Sequence, residues 1–93
     1  MATLTNKLTD TEVKNAKPSA KPLKLFDGEG MFLLVKPEGG KLWRLKYRFG
    51  GKEKLLALGT YPEIKLKDAR ERRQAARELI AKGIDPSEAK KAE

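Results

Sequence analysis

The 93 residues suit one small domain, hiding about 60–65% of its unfolded surface. With no cysteine and no histidine, the chain has neither a disulfide framework nor a thiolate zinc site, and it lacks the commonest metal ligand and general base. A net charge of +8 favours an anionic partner, nucleic acid ahead of membrane, because no segment joins a strong apolar stripe to a basic face.

The polar start, Met1 to Lys7, is no signal peptide, and no run approaches the ~18 apolar residues of a membrane span. The chain therefore reads as soluble and cytoplasmic, with residues 1–7 as a disordered tail. Thr9 and Glu12 then form a T-x-x-E capping box, with Leu8 placed to staple onto Val13. The helix they open is short, because Pro18 disfavours helical geometry at Lys17, and it turns Val13 and Ala16 to the core. Pro18 through Lys24 reads as a basic connector whose Lys21 and Lys24 serve either phosphate or solubility.

Asp27-Gly28-Glu29-Gly30 reads as a turn, a commoner role for such a pair of carboxylates than a metal site or an acid/base couple. The first strand is then Met31 to Lys36, apolar on both faces, so its alternation does not choose an orientation. Pro37-Glu38-Gly39-Gly40 closes a hairpin. An odd loop sends Met31, Leu33 and Val35 to the core, an even one Phe32 and Leu34.

The central strand, 41–49, alternates strictly after Lys41. Trp43, Leu45, Tyr47 and Phe49 share one face; Leu42, Arg44, Lys46 and Arg48 share the other. Gly50-Gly51 reads as a two-residue hairpin, since primed turns need the positive φ that glycine tolerates. Counting outward, Arg48 faces Glu53, Tyr47 faces Lys54, Lys46 faces Leu55, Leu45 faces Leu56, Arg44 faces Ala57 and Trp43 faces Leu58. Both strands thus agree on which side is core. The predicted fold is α+β: a three-stranded antiparallel sheet packed against a C-terminal helix, with a short N-terminal helix.

That C-terminal helix is expected from around Leu66 to Lys82, with Gly83 as a left-handed cap. Leu66, Ala69, Arg73, Ala76 and Ile80 step along its inner stripe, widened by Leu79. Asp85 and Pro86 start another helix, read as the beginning of a linker over 84–93 after a domain spanning 8–83.

No nucleophile has a histidine or cysteine base beside it, and the glycine pairs do not extend to a phosphate loop, so no catalytic residue, metal, cofactor or small-molecule substrate is expected. Tyr47 and Tyr61 read as packing residues. What remains is binding. A face holding Arg44, Lys46 and Arg48 can enter a DNA major groove, which admits a two-stranded ribbon. Arginine can bracket guanine O6 and N7, and Leu55 or Ala57 can touch a thymine methyl. Lys36, Lys52 and Glu53 complete the candidate DNA-binding set. The alternative is a protein-interaction module using the helix 66–82.

The ordered set L-T-D-x-x-V at 8–13, D-G-x-G at 27–30, G-K-L-W-R at 40–44, Y-R-F at 47–49, L-G-T-Y-P at 58–62, A-R at 69–70 and G-I-D-P at 83–86 resembles the N-terminal arm-type DNA-binding domain of prophage and genomic-island integrases, which are tyrosine recombinases. The resemblance covers residue 8 to about residue 90. It implies a sheet seated in the major groove of arm-type attachment sites, a place on the bacterial nucleoid, and partners that are double-stranded DNA and, beyond it, other integrase protomers or an excisionase. It also favours the odd loop, with Met31, Leu33 and Val35 inward. The chain departs from the family pattern at Lys65, where a serine cap is usual, and at Leu55, where threonine is frequent.

Overall fold

The computed structural model describes residues 7–91, without the side chain of Lys91. Of the tail expected over 1–7, residues 1–6 lie outside the described residues, while the Lys7 N–H donates to the Asp27 carbonyl at 3.0 Å. In chain order the elements are α1 (Asp10–Asn15), β1 (Leu23–Gly28), β2 (Met31–Val35), β3 (Lys41–Phe49), β4 (Lys52–Tyr61), α2 (Leu66–Ala81) and α3 (Pro86–Lys91).

The strands form one antiparallel sheet in the order β1-β2-β3-β4. The sheet therefore has four strands, not three. The extra one, β1, takes Leu23 and Lys24 from the expected connector and Asp27 and Gly28 from the expected turn, and lays Leu23 to Phe26 opposite Val35 to Phe32. An edge strand gains most of its stability from the neighbour it pairs with, and here that neighbour is apolar on both faces. Val35 pairs with Lys41, so the intervening loop is odd, and Met31, Leu33 and Val35 are all fully buried. Phe32 on the opposite face is buried too, because β1 supplies a neighbour for it.

The two-residue turn joins Phe49 to Lys52, and the register holds outward as far as Arg44 opposite Ala57. There it shifts. Trp43 lies opposite Gly59, not Leu58, which is the extra residue of a β-bulge. Gly59 adopts φ 139°, and a Cβ built on it would come 2.4 Å from Ile64 Cγ1. Only a glycine leaves room for the Ile64 side chain to fold back against the strand. Leu58 keeps its side chain in the core, and the bulge turns its carbonyl toward Arg72 Nη1 at 2.8 Å.

The core lies between the inner sheet face and α2. Trp43, Leu45, Met31, Leu33 and Val35 meet Leu66, Ala69 and Ala76 there, with Val13 of α1 closing one end. Trp43 is fully buried and donates Nε1–H to the Ile64 carbonyl at 2.7 Å. The α1 capping box is present as expected, with Leu8 and Val13 both buried. Helix α2 opens on Lys65 without a side-chain cap, and its C-terminal carbonyls are closed by the backbone of Lys82, Gly83 and Ile84. None of the helices among the described residues is long and apolar enough to cross a membrane.

Candidate nucleic-acid interface

Residues opposite one another in an antiparallel pair share a face, so the register defines the outer side of the sheet. Phe26, Phe32, Arg44 and Ala57 form one row across all four strands. Lys24, Leu34, Leu42 and Thr60 form the next. Toward the hairpin tip, Lys46 lies beside Leu55 and Arg48 beside Glu53. Arg48, Lys46, Glu53 and Leu55 are exposed, Leu55 by 61%, while Arg44 and Ala57 are half-buried by their neighbours. Six of the expected residues, Arg44, Lys46, Arg48, Glu53, Leu55 and Ala57, thus converge on one surface.

The other two do not join them. Lys52 pairs with Phe49, which puts it in step with the inner face, beyond the core at the tip. Lys36 sits past the end of β2, at the opposite end of the sheet. Glu53 lies opposite Arg48 in the register, yet its Oε1 meets Lys46 Nζ at 3.1 Å. Side chains diagonal on a twisted pair approach closely enough for this exchange. Both partners are more than half exposed, so the pair adds little to stability. Among the described residues, no salt bridge engages Arg44 or Arg48.

The aromatics of β3 point inward, as the alternation requires. Those of β1 and β2 do not: Phe26 is 55% exposed on the outer face, its ring centroid 5.5 Å from that of Phe32, and Lys24 Nζ lies 5.3 Å above the Phe32 ring. This corner escaped sequence reasoning because the strand that carries it was missed. The only available signal was Leu23-Lys24-Leu25-Phe26, apolar at three positions of four.

Two charged clusters hold the platform. Asp27, fully buried, accepts from the Leu8 N–H, from Arg70 Nε and Nη2, and from Arg73 Nη1, at 2.8–3.0 Å. Burial pushes its carboxyl upward, but the hydrogen bonds from Arg70 and Leu8 and the two guanidinium charges outweigh that and hold it below the usual carboxylate range. Glu29 accepts from Arg77 Nε at 2.7 Å. The acidic turn therefore clasps three arginines of α2, a structural duty.

At the other end Tyr47 Oη donates to Asp85 Oδ1 at 2.6 Å and accepts from Ser87 Oγ at 2.5 Å, and Lys54 Nζ bonds Asp85 Oδ2. Lys54 and Tyr47 together hold the Asp85 carboxyl at about 2. Tyr47 is thus an anchor as well as a packing residue, and α3 is tied to the inner side of the β3–β4 hairpin. Lys90 Nζ meets the Ala57 carbonyl at 3.0 Å, and with Arg72 on the Leu58 carbonyl it covers part of the open β4 edge.

The sequence model of the Arm DNA-binding domain family matches residues 8–93. The chain is 47% identical over 85 residues to an integrase of Shigella phage Sf6, covering 91% of this chain and 22% of that protein. The prophage integrase IntS of Escherichia coli (strain K12) gives the same figures. Another from that strain, prophage integrase IntA, is 45% identical over 93 residues, covering 98% of this chain and 22% of its own length. The chain spans about a fifth of the length of these curated relatives.

Proposed function

The chain belongs to the arm DNA-binding domain family, and we propose that it is the module with which a site-specific integrase grips arm-type attachment-site DNA, seating the β3–β4 hairpin in the major groove. One observation carries the reading: Arg44, Lys46 and Arg48 share a solvent face with Leu55 and Ala57, while the core residues of the same two strands, Trp43, Leu45, Tyr47, Leu56 and Leu58, point away from it. At least one arginine brackets guanine, the other cations hold phosphate, and Leu55 meets a thymine methyl. The parent protein is a tyrosine recombinase that integrates and excises mobile DNA on the bacterial chromosome, with its chemistry carried by residues other than these.

Docking of another integrase or an excisionase through α2 has less support. Arg70, Arg73 and Arg77 of that helix are turned onto Asp27 and Glu29 of the same domain.

Binding of attachment-site and scrambled duplexes at several salt concentrations tests the reading. If about four to six phosphates are neutralised, log K falls with log salt at a slope of about −4 to −5. Ala at a base-reading arginine costs about 1–3 kcal/mol and relaxes sequence preference; Ala at a phosphate contact flattens the slope by about one. Parental binding by folded Arg44→Ala, Lys46→Ala and Arg48→Ala together would remove the sheet as the reading surface.

A further inference from the structure

The outer face is wider than the groove it is proposed to enter. Strands lie about 4.8 Å apart, so four of them span about 14–15 Å between the outermost axes, against a major groove about 12 Å wide. With β3 and β4 on the groove floor, β1 stands two strand spacings from β3, about 9–10 Å to one side. That is where the groove floor ends and the sugar–phosphate wall rises.

The side chains β1 presents there match such a wall. Phe26 is more than half exposed in a row that runs through Phe32 to Arg44. An exposed phenyl is costly to leave in water and offers an apolar edge to deoxyribose. Lys24 is exposed on the same face, its ammonium drawn over the Phe32 ring, two residue pairs along from the Phe26–Phe32 pair. Phe26 and Lys24 both cover Phe32, which is only 3% exposed, so each already has a packing contact before any ligand arrives. An apolar edge and a cation two residues apart on one strand face, about 6–7 Å along the backbone, fit the alternation of sugar and phosphate along one DNA strand.

We infer that β1 is a clamp on one DNA backbone, with Phe26 packed on deoxyribose and Lys24 on the neighbouring phosphate, while the β3–β4 hairpin reads bases. This rests on the proposed major-groove reading. It assigns β1 to affinity and register, and leaves sequence preference to β3 and β4.

The test is binding of the parent chain and of Phe26→Ala, Phe26→Leu, Lys24→Ala and Arg44→Ala variants to an attachment-site duplex and a scrambled duplex across a salt series, with amide shifts to establish that each is folded. Phe26→Ala is expected to weaken both duplexes by about three- to tenfold, the range for one apolar edge, with the salt slope unchanged. Phe26→Leu, which keeps an apolar cover over Phe32, is expected to recover part of that loss. Lys24→Ala is expected to weaken both duplexes and flatten the slope by about one. If Arg44→Ala loses affinity while folded Phe26→Ala and Lys24→Ala bind like the parent, the clamp is wrong and the groove reading stands. If Phe26→Ala changes preference between the duplexes instead, β1 reads bases and the backbone assignment falls. A parent chain that binds neither duplex overturns both readings.

Discussion

Arg70 grips Asp27 with two parallel bonds, Nε to Oδ2 at 3.0 Å and Nη2 to Oδ1 at 2.9 Å, and passes a third, from Nη2, to the Leu8 carbonyl at 2.7 Å. The planar guanidinium matches a carboxylate in this way, and a lysine there would make one contact in place of the fork. Leu8 returns its N–H to the same carboxylate, so the residue ahead of the α1 cap, the end of β1 and the middle of α2 close on one buried anion. Asp27→Asn takes the charge from between Arg70 and Arg73 and is expected to cost about 3–5 kcal/mol, read as a lower urea midpoint. A loss below about 1 kcal/mol would mean that the junction does not depend on the charge.

Asp85 sets an acid limit on the docking of α3. Its folded carboxyl is held at about 2, below its ordinary 3.8, by Lys54 and Tyr47. A depressed carboxylate contributes stability that is present above the unfolded value and is lost as pH falls through the folded one. The stability gap between the parent and Asp85→Asn is therefore expected to be full at pH 6, to narrow below about pH 4 and to be small near pH 2. Unfolding midpoints of both proteins over that range check it, and a gap independent of pH would sink the assignment.

Elements whose cause is local could be read before the fold was known. Thr9 and Glu12 carry the α1 cap within one turn, Gly50-Gly51 sets the β3–β4 register, and the spacing of Leu66, Ala69, Arg73 and Ala76 marks the buried face of α2. What stayed hidden depends on partners distant in sequence. Leu23 to Phe26 become a strand because β2 accepts them, and Asp27 looks like a turn residue until Arg70 and Arg73 arrive from α2. The bulge at Leu58 escaped for the same reason, since it answers to Ile64 folding back against Gly59. On the candidate interface the β3–β4 half was legible from alternation alone, and the β1 half was not.

Trp43 combines volume with a directed bond. It is fully buried, so Trp43→Ala is expected to cost about 3–5 kcal/mol. Trp43→Phe keeps an aromatic ring but leaves the Ile64 carbonyl without the indole N–H, a loss of about 1–3 kcal/mol in a part-buried site. Chemical denaturation of the two variants separates packing from hydrogen bonding; a Trp43→Phe loss near zero would show that the bond to Ile64 contributes nothing.

Gly59 is expected to resist substitution more strongly than its position on a strand suggests. Its φ of 139° strains any L side chain, and the Ile64 side chain occupies the place a methyl would take. Gly59→Ala should cost about 1–3 kcal/mol and disturb amide shifts from Leu58 to Ile64. Unchanged stability would mean that the bulge can rearrange without loss.

The last prediction concerns the carboxylate on the reading face. Glu53 holds Lys46 at 3.1 Å with both side chains more than half exposed, so Glu53→Gln is expected to shift folding stability by no more than about 1 kcal/mol. Its effect on DNA should be larger. In the free domain Glu53 cancels one of the three cations on the outer face of β3. In the proposed complex it would lie beside a phosphate that Lys46 or Arg48 would otherwise hold. Replacing it is expected to tighten binding of all duplexes and to steepen the salt slope by up to about one, because Lys46 becomes available to displace a counterion. Sequence preference should fall at the same time, since a carboxylate near the groove penalises a misplaced backbone as much as it restrains the lysine. Titration of Glu53→Gln and of Lys46→Ala, singly and combined, resolves the two roles. If Glu53 acts only through Lys46, the combined variant binds like Lys46→Ala; if Glu53 repels phosphate directly, the combined variant binds more tightly than Lys46→Ala. Weaker binding by Glu53→Gln would contradict both and make Glu53 a contact to DNA in its own right, as an acceptor for a cytosine amino group.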